Sequence, residues 1–399
     1  MTRVADVVVV GAGPAGAATA ILLAEHGLDV SVLDRGRRVR PKICGEYLSP
    51  EAGRVLDRLG ALKAVEAGGA VALAGMRITA PDGTTVQGRY GAVGDFRPYR
   101  DHAIGVSRDR LDGALLDRVR ALPIDLRESV RVTDVLIEAG RLVGVVGVDA
   151  AGAPIEVRAR VVVAADGRAS VIAHRLGCRR AHPLARLALV TYVADVPGCR
   201  DFGEIFVDPP DYAILNPLAP ERINLSVVVP LAHAAPWRAR MEDFLRARVK
   251  QLPHLARRLD GARRVAPIAC MGPLAYRVSP PREGAVLLVG DAAGFYDPFT
   301  GEGIFTALRS AELAAETLVS GLRAGDVSAT ALAAYEHARR AAFRDKARVT
   351  RAVQALIRRR RLANLAARWL ATRPRVLAAL LGIIGDYVPP RALPRLLLS

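Results

Sequence analysis

The stretch "ADVVVVGAGPAGAATAILLAEHGLDVSVLDRG", residues 5 to 36, constrains the fold more than any other part of the chain. Its four consecutive valines show no polar alternation, the pattern of a strand buried on both faces of a parallel sheet. Gly11, Gly13 and Gly16 then fall in GxGxxG spacing. An alanine-rich helix runs from them to about His26, Gly27 stops it, and a second strand ends at Asp34. GxGxxG alone is a common pattern. Here it follows a strand, opens a helix and has an acid 18 residues after its last glycine, which makes it specific for a dinucleotide. Gly11 permits the tight turn, Gly13 lets the backbone approach a pyrophosphate, and Gly16 allows close helix–strand packing. Pro14 and Ala15 open the helix, whose N-terminus faces the phosphates. Asp34, followed by Arg35, is placed to accept hydrogen bonds from a ribose.

Beyond this unit, "MRITAPDGTTVQGRY" alternates around a Pro-Asp-Gly turn and predicts a hairpin. Residues 107–122 predict an amphipathic helix, and residues 131–167 three strands with turns at Ala139-Gly140 and Ala151-Gly152. More strand pattern occupies about 185 to 230, and a long helix begins near Gly303. The expected fold is α/β: a doubly wound, Rossmann-like dinucleotide domain interleaved with an antiparallel substrate sheet and followed by C-terminal helices. We assign the first domain to residues 1–75, 100–175 and 265–325, the substrate domain to 76–99 and 176–264, and the helical region to 326–399.

Two further strand ends carry an Asp-Gly or Gly-Asp turn: "VVVAADGRAS" at Asp166-Gly167 and "VLLVGDAAGFYDPFTGEGI" at Gly290-Asp291. Each alone is an ordinary turn. Together with GAGPAG, in this order, they resemble the FAD-dependent oxidoreductases that comprise the group A flavin monooxygenases, the geranylgeranyl reductases and the flavin-dependent halogenases. The resemblance covers about residues 5 to 330. It implies that Gly11, Gly13, Gly16 and Asp34 hold the adenosine half of FAD and that Arg108 reaches toward the phosphates. It implies that Asp166 and Gly167 stand near the pyrophosphate, that Asp291 binds the ribitol, and that the loop from Pro298 to Gly303 lies along the flavin ring. The residues of that loop agree: Gly301 and Gly303 leave room for a flat ring, and the helix starting near Ile304 offers free N–H groups and a positive dipole end to a reduced, anionic flavin. A tightly held NAD is the competing cofactor, but it leaves the Asp166-Gly167 and Gly290-Asp291 turns without a role.

"KICGEYLSPEA" is similar to the Lys-x-Cys-Gly segment of the geranylgeranyl reductases, which implies that Cys44 and Gly45 lie over the flavin and touch substrate. The alternative is a thiol packed as a small apolar group, and Lys42 nearby is a cation that lowers a thiol pKa. The reductases' Tyr-x-Trp-x-x-Pro-like stretch reads "DYAILNPLAP" here, with Tyr212 and Pro217 but no tryptophan. The paired tryptophans of halogenases are absent too, the only tryptophans being Trp237 and Trp369. Tyr47, Tyr212 and Tyr296 are candidates to line the site or supply a proton. The expectation is an FAD enzyme that reduces a double bond or hydroxylates a hydrophobic small molecule (polyketide, aromatic or isoprenoid), with NAD(P)H as transient electron donor. A halogenase and a non-catalytic flavin-binding or electron-transfer module are the alternatives.

The net charge of +17 raises nucleic acid as a partner. Only four of the 57 basic residues are lysine, and 13 of them crowd into Arg339 to Arg375 without an aromatic ladder, which argues against it. That tail predicts a helical cap with solvated arginines; Arg358 to Arg361 point all round a single helix, so a bilayer contact is not favoured. Cys44, Cys178, Cys199 and Cys270 show no CxxC spacing, which supports neither a metal site nor a disulfide framework and fits a cytoplasmic protein.

Overall fold

The computed structural model describes residues 3–37 and 42–398. Its first sheet has a parallel core in the order Asp125–Glu128, Val30–Asp34, Val4–Val10, Pro154–Ala164, Val286–Leu288. The glycine-rich strand is therefore central. Val7 and Val9 point into one buried cluster and Val8 and Val10 into another, as the unbroken valine run requires. Three helices cover the first face: α1 (Pro14–Glu25), α2 (Arg108–Arg120) and α3 (Gly303–Ala324). An antiparallel meander, Arg131–Glu138, Arg141–Val148 and the start of Pro154–Ala164, extends the sheet over the other. Helix α1 is buried almost all round because α2 and α3 flank it.

The second sheet is antiparallel around Arg186–Ala194, Arg222–Pro230, Asp211–Ala219 and Phe202–Asp208. The predicted hairpin forms as Gly75–Thr79 and Thr85–Arg89, and its first strand joins this sheet by parallel pairing to Phe202–Asp208. Period-two alternation divides the faces. Leu189, Ala213, Leu215 and Val227 pack under the helices Met241–Gln251 and Pro253–Arg258. Ala188, Val190, Tyr212 and Val228 face the other way, toward the first sheet and the C-terminal region.

That region is built from α4 (Ala329–Ile357), α5 (Arg360–Ala371) and α6 (Pro374–Ile384). Leu377, Leu381, Ile383 and Val388 belong to the same buried cluster as the inner face of the second sheet. The expected cap is thus part of the hydrophobic core. The four arginines do not circle one helix as the sequence suggests: α4 ends at Ile357 and α5 starts at Arg360, so they occupy a corner between helices.

Candidate active site

The two sheets and the loop before α3 enclose one cavity of about 1150 Å³. That exceeds the roughly 300–1,000 Å³ of ordinary ligand pockets. Residues predicted from four separate strand ends meet there. Gly11, Gly13, Pro14 and Ala15 form one end with Asp34 and Arg35. Cys44, Gly45, Arg108, Asp166 and Gly167 continue the wall. Asp291, Pro298, Gly301, Gly303 and Ile304 complete it. Gly16 and Gly290 stand behind the wall, where they serve packing: a Cβ on Gly16 would overlap the Gly11 carbonyl, and one on Gly290 would lie 2.8 Å from the Ala15 methyl.

The glycines separate by cause. Gly11 has φ +99°, and an added Cβ would lie 2.5 Å from the Ala165 carbonyl oxygen, so the protein itself demands glycine there. Gly13 has φ −74°, which any residue adopts, and an added Cβ would meet only Lys42 Nζ, at 3.7 Å. Nothing in the protein excludes a side chain at Gly13. The space it keeps open is free to take a ligand.

The polar groups point the same way. The Asp34 carboxylate accepts from Ala12 N at 2.7 Å and from Gly36 N at 2.6 Å, which ties the glycine turn to the second strand. Each oxygen retains acceptor capacity for a ribose. Asp166 Oδ2 accepts from Val171 N at 2.7 Å, while its Oδ1 is buried without a partner. The Asp291 side chain accepts no hydrogen bond among the described residues, and burial raises its pKa against the pull of Arg108 and Arg168. A half-buried carboxylate with no donor facing a cavity is suited to a ligand that supplies one. Arg108 grips Asp112 through two 3.0 Å bonds, and Lys42 Nζ lies 2.8 Å from the same carboxylate. One buried acid thereby holds two cations at the cavity wall beside Gly13, where a pyrophosphate would sit.

Residues 4–350 match the FAD binding domain family. The chain belongs to that family. Within it the protein is 30% identical over 336 residues to the 6-methylpretetramide 4-monooxygenase of Streptomyces rimosus, covering 81% of this chain and 77% of that one. It is 28% identical over 343 residues to the digeranylgeranylglycerophospholipid reductase of Methanocella arvoryzae, covering 83% and 81%. The structure of the myxobacterial chondrochloren halogenase, an FAD-dependent halogenase, superposes with a TM-score of 0.77 at 27% identity over 85% of this chain and 79% of that one. This FAD binding domain protein is an FAD-dependent oxidoreductase with monooxygenase, reductase and halogenase relatives.

Next to the dinucleotide half lies an apolar chamber of Ala188, Val190, Ile214, Val228, Met271 and Leu274. The cysteine segment borders it. Asn224 Nδ2 donates to the Cys44 carbonyl at 2.9 Å, and Asn216 Nδ2 to those of Gly45 and Glu46 at 3.0 and 2.9 Å. A Cβ on Gly45 would meet nothing within 4 Å, so its backbone is open to a ligand. Lys42 is taken by Asp112, and burial pushes the Cys44 thiol pKa up despite Arg108. Burial thus outweighs the nearby cations at Cys44 and favours its neutral form.

Tyr212 is 1% exposed, does not line the cavity, and its hydroxyl donates to Asp297 Oδ1 at 2.7 Å. Its ring packs edge-on to Phe299, so it braces the loop of Asp297 and Phe299 instead of lining the cavity. Tyr296 is also outside the cavity wall, its ring edge-on to His182. Tyr47 is in the wall, its hydroxyl 2.6 Å from that of Tyr90.

Sequence reasoning missed Glu46. It is 1% exposed and holds φ +56°, uncommon for a residue with a side chain. Its Oε1 accepts from Arg108 N at 2.9 Å and from the Tyr192 hydroxyl at 3.1 Å, and its Oε2 from Asn224 Nδ2 at 2.9 Å. Glu46 thus joins the cysteine segment, the start of α2 and the substrate sheet. The signal was an acid directly after Cys44-Gly45 in the segment already singled out.

Proposed function

We propose that this protein hydroxylates a hydrophobic small molecule (a polyketide, an aromatic or an isoprenoid) with FAD as resident cofactor and NAD(P)H as transient donor. The observation that carries the reading is the division of one cavity into a polar, phosphate-ready half and an adjoining apolar chamber. In this assignment Gly13 and the start of α1 face the pyrophosphate with Lys42 and Arg108, Asp34 takes the ribose, and Asp291 the ribitol. Pro298, Gly301 and Gly303 lie along the ring, with the start of α3 at Ile304 toward its anionic side. FAD supplies hydride acceptance from the nicotinamide and delivery of those electrons onward. Overall, substrate C–H, dioxygen, NAD(P)H and a proton become C–OH, water and NAD(P)⁺. Ser226, which lines the cavity between these apolar side chains, donates its hydroxyl to Asn224 at 2.8 Å. Water exclusion and orientation are what these residues contribute.

One observation favours double-bond reduction instead. The Cys44 thiol borders the chamber, its pKa raised by burial, and can give a proton to the carbon adjacent to the one that receives a hydride, with NAD(P)H and a proton consumed and no oxygen needed. The experiment that separates the readings follows candidate polyketides, aromatics and isoprenoids with NADH or NADPH, with and without heavy-isotope dioxygen. Label in the product and no turnover without oxygen support hydroxylation. An anaerobic product two hydrogens richer supports reduction and overturns the first reading.

A further inference from the structure

The helix α5 has two unlike faces. Inward, Ala363 and Ala367 are buried, and Asn364 Oδ1 accepts from Asp82 N at 3.1 Å. Outward, Leu362, Leu365 and Trp369 are 40%, 65% and 43% exposed. Spacings of three and four residues place them on one side of the helix, along roughly 10 Å of its axis. Three of the seven large apolar residues exposed among the described residues are therefore gathered on this helix. Single exposed apolar side chains are ordinary; a row of them needs an occupant.

The helix corner supplies the charge. Arg360 pairs with Asp208 and Arg368 with Asp82, which pin α5 to the substrate sheet. The guanidinium groups of Arg358, Arg359 and Arg361 are exposed and make no salt bridge or hydrogen bond among the described residues. Arg373 stacks 4.7 Å from the Trp369 ring. An apolar row on a convex helix, a tryptophan near one end and three unpaired arginines at the other match an interfacial helix lying in the plane of a bilayer.

We propose that this face of α5 rests on an anionic bilayer, with Leu362, Leu365 and Trp369 at the headgroup–acyl boundary and Arg358, Arg359 and Arg361 on the lipid phosphates. A single helix crest presents no groove to grip a protein segment, and the unpaired charge is all of one sign. The docking is independent of which reaction the cavity performs, and vesicle binding reads it without turnover.

The test is co-sedimentation of the full-length, FAD-loaded protein with vesicles of mixed phosphatidylglycerol and phosphatidylcholine, and with vesicles of phosphatidylcholine alone. Pelleting is expected on the anionic vesicles only, with loss at high salt. Replacing Arg358, Arg359 and Arg361 together by glutamine weakens it on the order of a hundredfold. Leu365→Glu abolishes it, and flavin absorbance and unfolding temperature stay as in the parent because the side chain is mostly exposed. Point variants are needed because truncation would open the core formed by α6. Pelleting that ignores lipid charge, or that these variants do not change, overturns the proposal. So does a dimer that Leu365→Glu dissociates, or binding of an acidic protein without any vesicle binding; either gives the face to another occupant.

Discussion

Gly13 and Gly16 are three residues apart in one motif, yet the structure assigns them opposite failures on substitution. In Gly13→Ala the new methyl meets only Lys42 Nζ, at 3.7 Å, and φ −74° suits alanine. The unfolded chain loses freedom, worth about 0.4–1 kcal/mol to the folded state. Against this, alanine is a poorer helix N-cap than glycine by about the same amount. The apoprotein should therefore stay within about 1 kcal/mol of the parent. In the proposed assignment the methyl stands where the pyrophosphate reaches the backbone, and losing one charge-assisted hydrogen bond costs about 1.5–3 kcal/mol, or roughly 10- to 150-fold in FAD affinity. In Gly16→Ala the methyl overlaps the Gly11 carbonyl, so the turn itself must shift and the apoprotein loses about 1–3 kcal/mol. Urea unfolding of the two apoproteins and fluorescence titration with FAD measure both quantities. If Gly13→Ala destabilises the apoprotein as much as Gly16→Ala, or binds FAD as tightly as the parent, the separation of ligand glycine from packing glycine is wrong.

Asp291→Asn should weaken FAD by about 1–3 kcal/mol while stabilising the apoprotein at neutral pH. Burial raises the Asp291 pKa above its unfolded value, so its contribution is fully present below about pH 4 and is lost as pH rises through the folded pKa; unfolding of parent and variant across pH reads that difference. Cys44→Ser should keep fold and flavin but change turnover or product, and peptide mapping after alkylation near pH 7.5 should show the exposed Cys270 modified before the half-buried Cys44. Glu46→Ala removes the acceptor of Arg108 N, the Tyr192 hydroxyl and Asn224, and should cost at least about 3 kcal/mol in urea unfolding, with Glu46→Gln costing less.

The parallel core was legible because its signals are local. An unbroken valine run, the glycine spacing and the three strand-end turns each lie within a few residues, and each reports on backbone geometry. The apolar chamber was not, because alternate residues of distant strands build it: Val190, Ile214 and Val228 become neighbours only once the second sheet pairs. Tyr212 was misread for the same reason, since the sequence gives its face of the strand but not that Asp297 lies in front of it. Asp112 and Glu46 were invisible as site residues because each acts on other side chains from a buried position. The corner at Arg358–Arg359 has no proline or glycine to announce it, so the tail read as a continuous helix.

Helix α4 joins regions that are remote in sequence. Tyr335 donates to the Leu288 carbonyl and Arg339 to that of Ala293, both at 2.7 Å, and Gln354 Nε2 donates to Asp297 Oδ1 at 2.6 Å. The strand end and the loop that close the cavity are therefore fastened by residues made long after Gly13. At about 5–20 residues per second, Gly13 leaves the ribosome tens of seconds before Gln354 is added. In that interval the nascent chain carries the dinucleotide turn without the clamp that finishes the cavity. Flavin capture waits for α4, and a ribosome stalled before α4 should hold a protein that is colourless.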